Sequence, residues 1–237
     1  MVLTLHGNIH STCTSRVRTV LEELNVPYEF VGVDFAKGEH KAPAFVAVQP
    51  FGQVPYLDDD GFKVFESRAI ARYIALKHGG VGTLIPAQAD AQKTALFEQA
   101  ASIEVSNFDP SAAGLAFENI FKVYVFTLFR AVVSGRFDAD RDGGVCRMHG
   151  GKTDPATVER LKTTLEAKLA AYDVILGKTK FLAGDEVTLA DLFHLPYGAL
   201  LEKQGIDFLV SGKFPNVTRW WTEITSRPSW KKVTSPA

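Results

Sequence analysis

Ser11 is the residue of this sequence whose position best suits a chemical role. It lies in the segment 7–12, which joins a predicted strand to a predicted helix, where free N–H groups and the helix dipole favour negative charge. A free thiol has a pKa of about 8.5, and a hydroxyl that donates a hydrogen bond to sulfur stabilises the thiolate. Ser11 could therefore activate a bound thiol, although this segment alone is more typical of a helix cap.

The cysteines of the chain are Cys13 and Cys146. Cys13 falls in the first turn of the predicted helix, where a thiol can have a low pKa. The strand-to-helix turn presents Ser11 more directly, so we favour a packing role for Cys13. Two cysteines far apart in sequence predict neither a disulfide framework nor a metal site, and they indicate a reducing compartment.

Val54 precedes a proline at the start of a predicted strand, in the segment Gln53-Val54-Pro55. If the Val54–Pro55 bond is cis, Val54 presents a free N–H and C=O, with which an extended peptide can pair as an added strand would. An edge proline in an ordinary turn is the alternative interpretation of this segment.

Polar residues that suit the charged ends of a peptide follow two other strands. Glu66 could take an ammonium group, and Ser67, a candidate helix N-cap, could bind a carboxylate beside it. His40 and Lys41 could pair with a second carboxylate. Capping and solvated surface charge are the ordinary interpretations of these residues.

Composition and charge exclude several classes of function. The 237 residues carry a formal net charge of -1 and are 46% hydrophobic, which predicts a sizeable core and no electrostatic footprint for nucleic acid or an anionic membrane. The N-terminus lacks the features of a secretory signal. The most apolar stretch, 115–133, contains charged residues that a lipid-facing span would tolerate poorly. We therefore expect a soluble, cytoplasmic protein.

The two halves of the chain differ in hydrophobic period. Residues 1–80 alternate strands and helices in the order β-α-β-α-β-β-α, which predicts a mixed four-stranded sheet with helices packed on it. The strands are expected at 2–6, 28–33, 54–57 and 62–65, with a hairpin turn at 58–61 and helices at 14–24 and 67–78. Residues 81–88 form a predicted linker, and residues 89–237 are helical in period.

Two further features concern the helical half. Thr188 and Asp191 have the spacing of a capping box. Pro196 falls inside the helix that would follow, and we expect it to kink that helix. A charged loop is predicted at 135–154.

These segments, in this order, resemble those of the cytosolic glutathione transferases, most closely the phi class found in plants and fungi. The resemblance covers nearly the whole chain. The motifs that carry it are Ser11-Thr12 with Arg16-Val17, Gly38-Glu39-His40-Lys41, Pro50-Phe51-Gly52-Gln53-Val54-Pro55, Phe65-Glu66-Ser67-Arg68-Ala69-Ile70, Phe181-Leu182-Ala183-Gly184-Asp185, Thr188-Leu189-Ala190-Asp191-Leu192, and Trp220-Trp221 with Arg227-Pro228-Ser229-Trp230.

The resemblance implies an α/β thioredoxin-like N-terminal domain (1–80), a linker (81–88) and an all-helical bundle domain (89–237). It implies that Ser11 hydrogen-bonds the glutathione sulfur, so that the thiolate attacks an electrophile. The residues that would bind the rest of glutathione, the co-substrate, are Thr12, His40, Lys41, Gln53, Val54, Pro55, Glu66, Ser67 and Arg68. No metal or other cofactor is expected.

The electrophile would occupy a more variable apolar pocket beside the thiolate. Candidates for its walls are Ile9, His10, Phe35, Phe117 and Phe121, for which core packing is the alternative. The resemblance further implies a homodimer, in which Phe51 is a candidate interface residue. The loop at 135–154 is longer and more charged than the resemblance leads us to expect.

The leading hypothesis is an enzyme that joins glutathione to small hydrophobic electrophiles and reduces organic hydroperoxides. A carrier of small aromatic metabolites on the same fold is the main alternative. A thiol-disulfide oxidoreductase is disfavoured because that class needs a cysteine where Ser11 stands, and a non-catalytic scaffold is disfavoured by the ligand-contact residues.

Overall fold

The computed structural model describes residues 3–122 and 152–235. The predicted charged loop at 135–154 lies almost wholly outside them, as do residues 123–133 of the apolar stretch 115–133. No helix among the described residues is both long enough and apolar enough to cross a membrane.

A four-stranded mixed sheet forms the N-terminal half. In chain order, this half contains β1 (Leu3–Gly7), α1 (Thr12–Glu23), β2 (Tyr28–Gly32), a 3-10 turn (Glu39–Lys41), α2 (Pro43–Val46), β3 (Tyr56–Asp59), β4 (Phe62–Phe65) and α3 (Ser67–Lys77). The strand order is β2-β1-β3-β4, with β1 parallel to β2 and both other pairs antiparallel. The predicted thioredoxin-like order of elements is confirmed.

Apolar spacing explains why α1 and α3 pack on this sheet. Val17, Val20 and Leu21 on α1 are fully buried, as are Ile70 and Ile74 on α3. Spacings of three and four residues place each set on one face of its helix. Burial of each of these side chains contributes about 1.5–3 kcal/mol. This packing fixes α1 and α3 on the sheet, and so it also fixes the loops that lead into them from β1 and β4.

The hairpin between β3 and β4 is tighter than the sequence predicted. Asp58 and Asp59, predicted as turn residues, belong to β3, and only Asp60 and Gly61 form the loop, with φ angles of 54° and 91°. Two successive positive φ angles are typical of type I′ turns, whose twist matches that of the strands. Asp59 remains in the strand and its carboxylate binds Lys77 of α3.

The C-terminal half is helical, as predicted. Its described elements are α4 (Ala91–Ile103), α5 (Asp109–Ala116), α6 (Pro155–Leu176), α7 (Leu189–Leu192), α8 (Leu195–Lys203), α9 (Pro215–Thr225) and α10 (Pro228–Thr234). Widened π turns follow α4 (Glu104–Phe108) and α5 (Phe117–Phe121). Pro110 lies just after the first of them. Proline has no backbone N–H to donate to the preceding helical turn, and its ring crowds the carbonyl group there, so a widened turn relieves the clash.

The capping box predicted at the start of α7 is confirmed. Asp191 accepts hydrogen bonds from the backbone N–H of Thr188 at 2.9 Å and from its hydroxyl at 3.0 Å. The kink predicted at Pro196 is wrong, because α7 ends at Leu192 and a separate helix begins at Leu195. Pro196 lies in the first turn of that second helix, where a missing N–H costs nothing.

His194 is a fully buried, neutral histidine at the centre of the helical half. Its Nδ1 lies 2.9 Å from the carbonyl oxygen of Ala190 and its Nε2 lies 3.0 Å from the hydroxyl of Tyr172. Because a carbonyl can only accept, Nδ1 carries the proton and Nε2 accepts from the phenol. Burial lowers the pKa of His194 from 6.5 to about 4, although the charge of Glu104 opposes this.

This histidine should make stability depend on pH. The unfolded chain binds a proton at His194 below about pH 6.5 and the folded chain only below about pH 4, so stability is fully present above 6.5 and is lost as the pH falls toward 4. Between about pH 7 and pH 5, the free energy of unfolding should fall by about 2 kcal/mol from this residue. Urea unfolding at both pH values measures the difference.

Two variants isolate the contribution of His194 to this slope. His194→Gln should flatten it by about that amount, and His10→Gln, a change at an exposed histidine, is the matched control. The same slope in all three proteins would contradict a neutral buried His194.

Candidate active site

The register of the sheet brings the predicted site segments to one edge. Gly7 at the end of β1 pairs with Gly32 at the end of β2, while His6 pairs with Tyr56 at the start of β3. Tyr56 in turn pairs with Phe65 at the end of β4. The chain therefore leaves or enters the sheet at this same edge in four segments: 8–11, 33–41, 53–55 and 66–68.

Ser11 is the N-cap of α1. Its backbone is extended (φ -77°, ψ 128°) and its Oγ accepts a hydrogen bond from the N–H of Thr14 at 3.3 Å. This bond uses one lone pair of the hydroxyl and leaves its hydrogen free, and no acceptor for that hydrogen is within range in the described part of the chain. Ser11 is half-buried, so it can cap the helix and donate to a ligand at once.

Asn8 holds the loop that carries Ser11, a role that the sequence did not reveal. Its Nδ2 donates to the carbonyl oxygen of Val33 at 3.0 Å, its Oδ1 accepts from the N–H of His10 at 3.0 Å, and its carbonyl oxygen accepts from the N–H of Ser11 at 3.0 Å. Asparagine favours such local turns, which was the available signal. The loops after β1 and β2 are thus tied together.

Val54 presents an unpaired backbone at the same edge. The Val54–Pro55 bond is cis, and neither the N–H nor the C=O of Val54 has a hydrogen-bond partner within residues 3–122 and 152–235. The N–H of Gln53 is held by the side chain of buried Gln49 at 3.1 Å. Free strand-like groups of this kind can pair with an extended peptide.

His40 and Lys41 lie in the 3-10 turn beside this strand entry. The Nζ of Lys41 donates to the carbonyl oxygen of Phe51 at 3.1 Å, and its other two donors meet no acceptor among the described residues. The Nδ1 of His40 is buried and makes no hydrogen bond to any described residue. Burial, and then the neighbouring Lys41, lower the pKa of His40.

Gly52 fits tightly between these residues and Val54. Its φ is +59°, and an added Cβ would lie 2.8 Å from the carbonyl oxygen of His40 and 2.8 Å from the Cδ and Nζ of Lys41. Only glycine therefore allows the chain to pass this close.

The Gly52→Ala variant should bind a carboxylate-bearing peptide more weakly because it displaces His40 and Lys41. We expect the Kd for glutathione to rise about tenfold, as measured by isothermal titration calorimetry. Gly38→Ala is the matched control, since Gly38 also has a positive φ (+70°) but open space around its Cβ position. Equal losses in both variants would mean that backbone strain, and not displacement, weakens binding.

Glu66 and Ser67 form the start of α3. The sequence suggested Ser67 as the N-cap of this helix, but the N-cap is Glu66. Glu66 adopts a φ of +71°, whereas Ser67 is already helical. No side chain caps the helix, and in the described structure the N–H groups of its first three residues have no partner. A positive φ outside glycine is strained and typical of functional sites, and free N–H groups favour an anion.

The side chain of Arg68 faces the helical half and is already paired. It donates to Glu104 at 2.7 and 2.8 Å and to Asp109 at 2.7 Å. Burial opposes the charge, but these carboxylates raise the pKa of Arg68 above its usual range. The backbone N–H of Arg68 is therefore the group that remains for a ligand at this edge.

The candidate electrophile residues fall into two groups. Ile9, His10 and Phe35 are exposed on the loops after β1 and β2, and Phe35 makes an edge contact with the ring of His40 at 4.8 Å. Phe117 and Phe121 lie in the second widened turn. The ring contacts recorded for the described residues do not join these two phenylalanines to the N-terminal loops.

Tyr197 is a residue of this region that the sequence did not single out. It comes from α8 and lies beside the first turn of α1, with its ring 5.9 Å from the guanidinium carbon of Arg16. Burial and the nearby Cys13 raise the pKa of Tyr197, whereas a hydrogen bond with Thr12 opposes this. The first turn of α1 is therefore covered by a phenol from the helical half.

Known proteins share both halves of this architecture. The family model described as "Glutathione S-transferase, N-terminal domain" matches residues 1–76, and the model "Glutathione S-transferase, C-terminal domain" matches residues 130–228. Glutathione S-transferase PM239X14 of Arabidopsis thaliana is 42% identical over 92% of this chain and 88% of its own length.

Two solved structures are similar over nearly the whole chain. The crystal structure of glutathione transferase F7 from Populus trichocarpa is 35% identical, with a TM-score of 0.79 over 98% of this chain and 97% of that one. Glutathione S-transferase I from mais, in complex with an atrazine glutathione conjugate, is 29% identical, with a TM-score of 0.82 over 98% and 96%.

A thioredoxin-like sheet followed by a helical domain is the fold of the glutathione transferases. The chain belongs to the glutathione S-transferase family, and within it to the phi class. No cluster of three potential metal ligands occurs among the residues that the structure describes.

Proposed function

We propose that this protein is a glutathione transferase in which Ser11 donates a hydrogen bond to the sulfur of glutathione and so stabilises its thiolate. The observation that carries the proposal is the arrangement at one sheet edge: a cap hydroxyl with a free hydrogen lies among groups suited to a peptide. Each unit by which the pKa of the bound thiol falls below about 8.5 corresponds to about 1.4 kcal/mol.

The remaining groups suit the three parts of glutathione. We assign His40 and Lys41 to the glycyl carboxylate, and the unpaired backbone of Val54 to the cysteinyl residue. The start of α3, with the carboxylate of Glu66 and the hydroxyl of Ser67, is assigned to the amino and carboxylate groups of the γ-glutamyl end. Contacts from Thr12, Gln53, Pro55 and the backbone of Arg68 complete the proposed site.

The proposed reaction is nucleophilic attack by the thiolate. The thiol loses its proton to solvent, the thiolate forms a carbon–sulfur bond with the electrophile, and the leaving group departs with its electron pair. With an organic hydroperoxide, the thiolate attacks the peroxide oxygen, and a second glutathione completes a disulfide, with an alcohol and water as products. The atrazine glutathione conjugate bound to the similar transferase from mais supports small aromatic electrophiles as substrates.

The setting of this reaction is also proposed. Residues 1–80 would bind glutathione, 81–88 would link the halves, and 89–237 would contribute to the electrophile pocket together with Ile9, His10 and Phe35. We propose a cytoplasmic homodimer, for which the exposed ring of Phe51 is a suitable contact.

Turnover distinguishes this function from that of a carrier. The purified protein, mixed with glutathione and 1-chloro-2,4-dinitrobenzene, should form the thioether and chloride, followed by absorbance and mass spectrometry. A carrier would bind aromatic ligands, measured by the fluorescence of the buried tryptophans Trp220 and Trp221, without forming the thioether. Tight ligand binding with turnover no faster than the uncatalysed reaction would sink the proposed function.

A further inference from the structure

Arg16 is an almost fully buried arginine that the proposed reaction does not use directly. It lies on α1, only 1% exposed, between the sheet and the helical half. Its Nη1 donates to the hydroxyl oxygen of Ser67 at 2.8 Å, and its Nε donates to the carbonyl oxygen of Phe193 at 3.2 Å. Arg16 thus joins the start of α3 to the helical half. Because burying a charge is costly, such a residue is expected to have a structural or functional role.

The helical half fixes the position of this guanidinium. Its Nη2 lies 3.6 Å from a carboxylate oxygen of Asp109 and 3.8 Å from one of Glu104. The carbonyl of Phe193 holds the opposite side of the fork. Arg16 would therefore stay in place if the hydroxyl of Ser67 were absent. The direction of the Ser67 O–H bond, in contrast, depends on the groups next to it.

Arg16 decides which way the hydroxyl of Ser67 points. Arginine has donors and no acceptor, so the oxygen of Ser67 must accept from Nη1 and its own hydrogen must turn away. That hydrogen meets no acceptor in the part of the chain that the structure describes. It remains available beside the free N–H groups at the start of α3, which favour an anion.

We propose that Arg16 is a positioning residue of the glutathione site, which orients the hydroxyl of Ser67 as a donor to the γ-glutamyl carboxylate. This inference rests on the proposed function, in which Ser67 binds that carboxylate. Arg16 does not touch the ligand. Its effect on the ligand passes through its hydrogen bond to Ser67. Because Asp109, Glu104 and Phe193 of the helical half hold Arg16, that half helps to order the part of the site that binds the γ-glutamyl end.

The test compares the affinity of variants for three peptides. They are glutathione, an analogue with γ-aminobutyrate in place of the γ-glutamyl residue, which lacks only the α-carboxylate, and γ-glutamylcysteine, which lacks only the glycyl end. Ser67→Ala and Arg16→Lys should each raise the Kd of glutathione about tenfold. Both should lose the preference for glutathione over the γ-aminobutyryl analogue and keep the preference over γ-glutamylcysteine, a pattern that a general structural defect would not give.

A double-mutant cycle and a control sharpen the test. Ser67→Ala combined with Arg16→Lys should bind glutathione within about twofold of either single variant, because both remove the same contact. Arg72→Lys is the control, since Arg72 also packs between the halves, over Phe97 and Phe193, and does not contact Ser67. It should retain the peptide preferences of the wild type.

Two results would overturn the proposal in distinguishable ways. Arg16 does not orient Ser67 if Ser67→Ala loses the preference for the α-carboxylate while folded Arg16→Lys keeps it. The same conclusion follows if the losses of glutathione affinity in the two single variants add in full in the double variant. If Ser67→Ala itself keeps the preference, the assignment of Ser67 in the proposed function fails first. Should Arg16→Lys not fold by circular dichroism, Arg16→Gln, which is too short to reach Ser67, carries the same expectations.

Discussion

Replacement of Ser11 by alanine is expected to lower turnover with 1-chloro-2,4-dinitrobenzene by about a hundredfold, which corresponds to ~2.7 kcal/mol of transition-state stabilisation. The reason is that the hydroxyl hydrogen, free in the structure, is the donor that would hold the sulfur anionic. The Kd of glutathione should stay within about threefold, because the other proposed contacts remain. Steady-state kinetics and calorimetry measure the two quantities.

Ser11→Ala also removes a helix cap, which costs about 1 kcal/mol of stability, so a control is needed. Asp90→Ala removes the N-cap of α4, where the aspartate accepts from the N–H of Lys93 at 3.0 Å, far along the chain from the site. It should lose similar stability and keep turnover. If Ser11→Ala retained turnover and Cys13→Ala lost it, the cysteine-type alternative would replace the serine assignment.

Replacement of Asp191 by asparagine should cause the largest loss of stability that we predict. Its fully buried carboxylate accepts four hydrogen bonds: two from Thr188, one from the N–H of Leu182 at 3.0 Å and one from the indole of Trp220 at 2.9 Å. An amide nitrogen cannot accept, so at least two of these donors lose their partner in the core. We expect a loss of about 3–5 kcal/mol and a fall in melting temperature of about 10 °C.

The control for this variant is Asp185→Asn, in the same connection. Asp185 is exposed and accepts one hydrogen bond, from the N–H of Lys180 at 3.2 Å, so its replacement should cost less than about 1 kcal/mol. Equal unfolding midpoints for Asp191→Asn and Asp185→Asn in urea would contradict the structural role of the buried carboxylate.

Local signals in the sequence were sufficient to predict the elements of the sheet and the position of Ser11. Val17, Val20 and Leu21 have helical spacing, and all three are buried. The strand-to-helix turn placed Ser11 at a helix start, and it caps α1 in the structure. The capping box of Thr188 and Asp191 is likewise local, since its members are three residues apart.

Contacts between distant residues could not be predicted in this way. Arg16 and Ser67 are separated by 51 positions, and Arg16 and Phe193 by 177. Hydropathy also places arginine and glutamate at the surface, whereas Arg16 and Glu104 are buried because each neutralises part of the other's charge. The break in the helix before Pro196 could not be predicted either. Hydrophobic periodicity alone does not show that a new helix begins at Leu195, with Pro196 in its first turn.

The most direct test of the role of Ser11 is a titration of the thiol of bound glutathione, followed by the ultraviolet absorbance of the thiolate. In the wild-type protein the pKa of the bound thiol should lie about one to two units below the value of about 8.5 for a free thiol. In Ser11→Ala it should return to within a few tenths of that value. The same lowered pKa in both proteins would contradict the role proposed for Ser11 as the donor that keeps the sulfur anionic.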